Sequence, residues 1–172
     1  MRRSSGKLAC TFMILSLAIL LFGCAPAAPS IDPNLVWGIT LSKYEVKDKL
    51  ETVETVQQYV GSYDQVRQQL PAVGNVYLIM KLAVSKQKIA STSPFDWSKL
   101  MVQDASGKTY PRVGNDSFLE LYKYTPRMTG LELKFGENEG WVCYEIPAQA
   151  AQTTLTLVYS GEGSQQTLVV KK

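Results

Sequence analysis

Four glutamates fall close together near the middle of the C-terminal half of the chain: Glu132, Glu137, Glu139 and Glu145. A pair of carboxylates is the machinery of glycoside hydrolysis, one acting as acid and the other as base or nucleophile. A denser oxygen cluster could hold Ca²⁺, which takes six to eight ligands. The spacing of these four matches no calcium loop, and acids at a hairpin tip are usually solvated. No catalytic set and no metal site is therefore assigned, and no cofactor is expected. The sequence contains no histidine, which removes Ser-His-Asp and Cys-His nucleophile pairs and histidine-ligated zinc. Cys143 could be a reactive thiol, but within "GWVCYEIP" it reads as a small packing residue.

Aromatic residues offer a second kind of chemistry. "FLELYKYTPR", residues 118–127, reads as a strand with Phe118, Tyr122 and Tyr124 on one face, followed by Arg127. Tyrosine and arginine are enriched at binding hot spots. Trp141 lies opposite in pleat to Val142 and Tyr144 and is a candidate for exposure. Tyr122, Tyr124, Arg127 and Trp141 form the candidate binding face. The competing expectation is that the tyrosines fill the inner face of a second sheet.

The elements that would position these residues read as strands. "NVYLIMKLAVS", residues 75–85, places Val76, Leu78, Met80, Leu82 and Val84 on one face and Tyr77, Ile79, Lys81, Ala83 and Ser85 on the other. Such period-2 alternation is the signature of a packed strand. "WGITLSKYEV" groups Trp37, Ile39 and Leu41, "LELKF" groups Leu131, Leu133 and Phe135, and "TTLTLVYS" and "QTLVVKK" end the chain as two strands around Gly161-Glu162-Gly163. Asp104-Ala105-Ser106-Gly107 has hairpin chemistry, with Asp opening the turn and Gly at the left-handed position. "GENEG", residues 136–140, reads as another turn. In the Gln-rich segment 47–71, Lys47 to Val60 reads as a strand or irregular arm. Tyr63, Val66 and Leu70 sit at helical spacing before Pro71, which predicts a short helix over Tyr63 to Leu70.

The N-terminus is of another character. "MRRSSGK" is basic, and Leu8 to Phe22 is apolar apart from Thr11 and Ser16. That run is shorter than the roughly 20 residues a spanning helix needs and fits the apolar region of a secretory signal. It ends in Leu21-Phe22-Gly23-Cys24, which resembles the lipobox of bacterial lipoproteins. The resemblance implies cleavage between Gly23 and Cys24 and a diacylglyceryl anchor on Cys24. Two acyl chains suffice for stable residence on a bilayer. "APAAPSIDPN" then carries three prolines and reads as an extended spacer of roughly 30 Å. Arg2, Arg3 and Lys7 fall in the signal, so 18 Lys and Arg less these three leaves 15 against 15 Asp and Glu. A formally neutral mature chain has no electrostatic footprint for nucleic acid.

The order of the runs is similar to the telokin-like, immunoglobulin-like domains of unknown function common in Gram-positive lipoproteins. The matching residues are Gly74 and Asn75 at the entry to the long strand; Asp104, Gly107, Lys108 and Tyr110 in a hairpin; and Glu137, Gly140, Tyr144, Glu145, Ile146 and Pro147. The resemblance implies an all-β, immunoglobulin-like antiparallel β-sandwich of about seven to eight strands over residues 37–172. A signal peptide helix over 1–23 and a linker over 24–36 precede it. The expected protein is a lipoprotein anchored through Cys24 to the cell membrane, facing the extracytoplasmic side and binding a protein or envelope component. A carboxylate-dependent envelope glycan hydrolase and a passive spacer are the alternatives.

Overall fold

A computed structural model describes residues 34–88, 91–129, 133 and 136–172. The signal segment, Gly23, Cys24 and nearly all of the linker lie outside them. Nine strands run in chain order among the described residues: β1 (Trp37–Lys47), β2 (Leu50–Gln58), β3 (Gly61–Gln69), β4 (Asn75–Lys86), β5 (Leu100–Asp104), β6 (Thr109–Pro111), β7 (Glu137–Pro147), β8 (Leu155–Gly161) and β9 (Ser164–Lys171). They form a three-stranded sheet β1-β4-β7, a four-stranded sheet β6-β5-β8-β9, and a separate ribbon β2-β3, every strand pair antiparallel. The fold is an all-β antiparallel sandwich, as the alternation predicts, with nine strands rather than seven or eight.

The core lies between the two larger sheets. Leu78, Met80, Leu82 and Val84 from β4 meet Leu100 and Val102 from β5 and Leu155, Leu157 and Tyr159 from β8. Trp37 and Ile39 belong to the same core, with Leu41 packed against it. Strand β4 is central in its sheet and its other face is covered too, with Tyr77 and Ile79 buried there. A strand covered on both sides needs a nearly continuous apolar run, which is what "VYLIMKLAV" supplies.

Both edges of the β1-β4-β7 sheet are partly covered, the first half of β1 and the middle of β7. Along β1, the Gln166 side chain stands in for a neighbouring strand: Ile39 N donates to its Oε1 (2.9 Å) and its Nε2 donates to Ile39 O (2.8 Å). Trp37 N donates to Ser164 Oγ at 2.9 Å. Along β7, Val113 N donates to Cys143 O, Trp141 N to Pro126 O, and Met128 N to Trp141 O. An uncovered edge is a template for another chain, and these contacts shorten the edge that the sheet presents.

Three sequence expectations fail here. Tyr63 to Leu70 is not a helix: residues through Gln69 form β3, paired with β2 from Leu50↔Gln69 to Gln58↔Gly61 without a register shift. The apparent helical spacing arose because both faces of the ribbon meet solvent, so no core imposes a period of two. Residues 118–127 are not a strand but a single helical turn, α1 (Phe118–Leu121), followed by a loop. Leu119 points into the protein and Lys123 turns the chain with φ +69°. Glu137 to Gly140 is not a turn either, because Glu137, Asn138, Glu139 and Gly140 pair with Ser85, Val84, Ala83 and Leu82. Of "LELKF", only Leu133 lies within the described residues, packed against the main core.

Candidate functional site

The outer face of the β1-β4-β7 sheet gathers the predicted aromatic residues. Phe118, Tyr122 and Tyr124, together with Val113 and Leu119, lie over Leu50, Tyr77, Ile79, Trp141 and Cys143. Tyr124 meets Trp141 edge-on, with ring centres 4.9 Å apart at 71°, and Lys43 Nζ sits 5.7 Å from the Trp141 ring. Tyr124 donates its hydroxyl to Glu45 Oε2 at 2.9 Å. Burial, reinforced by the Glu45 carboxylate, pushes the Tyr124 hydroxyl well above the usual tyrosine range. Lys43 holds Glu45 below its ordinary value. The predicted residues are thus brought together, but as a second small core. Trp141 is buried rather than exposed, because the 112–128 segment crosses over the face it occupies. The tyrosines cover the outside of the first sheet, not the inside of the second.

Arg127 does different work. Asp116, with a side chain only 2 % exposed, accepts from two arginines. Arg112 Nε reaches Asp116 Oδ2 at 3.0 Å and Arg127 Nη1 reaches Oδ1 at 3.0 Å. Arg127 Nε pairs with Glu120 Oε1 at 3.3 Å, and Arg112 Nη2 donates to Met128 O. The Arg112 guanidinium also stacks on Trp97, 4.7 Å from the ring centre. A fork-shaped guanidinium suits such multiple donation. The network ties the two ends of the crossing segment to each other and lines a cleft of about 370 Å³ with Trp97, Gly114 and Thr129. Sequence reasoning singled out Arg127 but missed Arg112, Asp116 and Trp97. Nothing local distinguishes an Arg-Asp spacing of four in a loop from two solvated charges.

Of the four glutamates, the two whose side chains are described, Glu139 and Glu145, do not form a pair. Glu139 bonds Lys81 Nζ at 2.6 Å, while Glu145 Oε1 accepts from Ala72 N (2.9 Å) and Asn75 Nδ2 (2.8 Å). Six residues apart on one strand, they are separated by about 20 Å, far beyond the roughly 5–9.5 Å of a glycosidase pair. The side chains of Glu132 and Glu137 lie outside the described residues. Among those described, no three of His, Cys, Asp or Glu come together as a metal cluster. Cys143 is fully buried, and burial above all, with the Asp116 carboxylate adding, pushes its thiol far above the ordinary range. It packs as expected.

The ribbon β2-β3 is the most exposed element. Its base is tied by Leu50 and by Tyr77, whose hydroxyl donates to Leu70 O at 2.8 Å. Beyond that base, Val53, Tyr63 and Val66 are about half exposed, and Tyr59 and Val60 at the tip are bare. Salt bridges such as Arg67–Glu54 at 2.8 Å and the hydrogen bond Thr55–Asp64 hold strand to strand. Neither outer edge of the ribbon pairs with another strand among the described residues.

Comparison with solved structures finds a conserved hypothetical protein from Bacillus anthracis, with TM-score 0.50 and 16% identity, covering 78% of this chain and 87% of that one. An uncharacterized beta-sandwich protein from Clostridium difficile 630 aligns with TM-score 0.42 and 13% identity over 86% of this chain and 100% of that one. At such identities the first likeness speaks to fold alone. No protein-family model matches the chain, and no curated protein does.

Proposed function

We propose that the protein is an extracytoplasmic lipoprotein, anchored to the cell membrane through Cys24, whose sandwich presents the β2-β3 ribbon to a protein or envelope partner. One observation carries this reading. Strand β1 begins at Trp37, opposite Lys86, and ends at Lys47, opposite Tyr77. The chain from the linker therefore enters at one end of the sheet, and the ribbon springs from the other. A spacer on the membrane side and a bare apolar tip on the far side suit a module that reaches outward. The unpaired outer edges of the ribbon support the same reading, since open edges favour strand addition by a partner.

Cross-linking on intact cells tests it. The wild-type chain should capture a discrete species that the double variant Tyr59→Ser/Val60→Ser loses, and Cys24→Ala should lose both membrane retention and the capture. An unchanged cross-link pattern in the ribbon variant would overturn the ribbon as the contact surface. Membrane retention of Cys24→Ala would overturn the anchor.

A further inference from the structure

The cleft beside Trp97 is independent of the ribbon, and its polar groups are not all used. Arg112 spends Nε and Nη2 on Asp116 and Met128 O, and Arg127 spends Nε and Nη1 on Glu120 and Asp116. Arg112 Nη1 and Arg127 Nη2 have no partner among the described residues. No buried side-chain nitrogen or oxygen among them lacks a hydrogen bond, so these two nitrogens reach solvent. The space that both arginines border is the cleft. Its size, about 370 Å³, lies within the range of small-molecule sites.

The charges lining the cleft are Arg112, Arg127 and Asp116, and Glu120 at its margin pairs with Arg127 at 3.3 Å. Both guanidinia are held in place by Asp116, so little order has to be gained when a ligand arrives. Two fixed donors suit a planar carboxylate, and the part of the Trp97 ring not covered by Arg112 and Phe95 lines the same space. We propose that this cleft binds a monocarboxylate carrying an aromatic or apolar body, its carboxylate bridging Arg112 Nη1 and Arg127 Nη2. A phosphate, at about −1.5 to −2, would bring more uncompensated charge than a carboxylate.

Gly114 gives a clean way to block the site. It lines the cleft, its backbone is not left-handed, and a Cβ there would meet nothing within 4 Å. Gly114→Glu places a competing carboxylate at the rim without touching the Asp116 network. The test is titration of the ¹⁵N-labelled full-length protein in detergent micelles with benzoate, benzamide and inorganic phosphate. The readout is the Trp97 indole N–H signal, assigned by its loss in Trp97→Phe. Benzoate should shift that signal saturably, benzamide should not, and Gly114→Glu should weaken benzoate at least tenfold, about 1.4 kcal/mol. A peptide with a free terminal carboxylate that saturates more tightly than benzoate, and whose amide does not, would identify a chain terminus as the source. Benzoate alone would identify a small acid. Equal shifts from benzamide, a larger response to phosphate, no saturation, or unchanged binding by Gly114→Glu would each overturn the proposal.

Discussion

Asp104 shows how much one side chain organises. Its Oδ1 accepts from Ser106 Oγ, Ser106 N and Lys108 N, and its Oδ2 accepts from Tyr110 Oη at 2.7 Å. Ser106 above all, with Tyr110 next, draws the carboxyl down from 3.8 to about 2. A folded value below the unfolded one means that the stabilisation is complete above about pH 4 and is lost as the pH falls towards 2. Thermal unfolding of the wild type and Asp104→Asn between pH 5 and 2 should show a lower melting temperature for the variant at pH 5. The gap should close towards pH 2, and a gap independent of pH would refute this account. Here the sequence was fully legible, since Asp-x-x-Gly carries its geometry within four residues and Gly107 takes the left-handed φ of +87°. Cys143 was legible for the same reason, its apolar neighbours in β7 announcing its burial.

At the scale of elements, legibility followed the core. β4 was readable because two packed faces demand an apolar residue at nearly every position. β3 was misread because nothing packs on it, and Tyr63, Val66 and Leu70 happened to fall three and four apart. Segment 118–127 was misread because its aromatic residues answer to the outer face of a sheet distant in sequence. What fixes that segment is Asp116, set between Arg112, four residues before it, and Arg127, eleven after it, spacings that sequence does not rank. Removing a buried partner leaves the opposite charges uncompensated, at a cost of about 3–5 kcal/mol. Asp116→Ala should therefore destabilise the protein by about 3 kcal/mol in urea unfolding, whereas Lys49→Ala, whose partner Glu51 is solvated, should leave the unfolding midpoint nearly unchanged. Comparable values for the two would show that the network contributes little.

The whole molecule divides into a sandwich that carries the stability and a ribbon that does not. Beyond Leu50, the ribbon contributes no residue to either core cluster. Replacing residues 52–67 by Asn-Gly keeps the Glu51↔Gln68 register and should leave cooperative unfolding within about 1 kcal/mol of wild type. Leu78→Ala, at a fully buried site, should cost about 2–5 kcal/mol. If excision of the ribbon unfolded the sandwich, the division would be wrong.

That division has a mechanical side. A protein held at Trp37 and pulled at the ribbon is loaded across a single strand, because β1 alone joins the two points. Apart from a bulge between Leu41 and Lys43, its eleven residues are extended at some 3.3 Å each, close to the limit of a taut chain. Tension between the two points therefore finds almost no slack to release by unravelling. Gln166 and β4 grip a cable that is already drawn straight, and the load bypasses the rest of the sandwich.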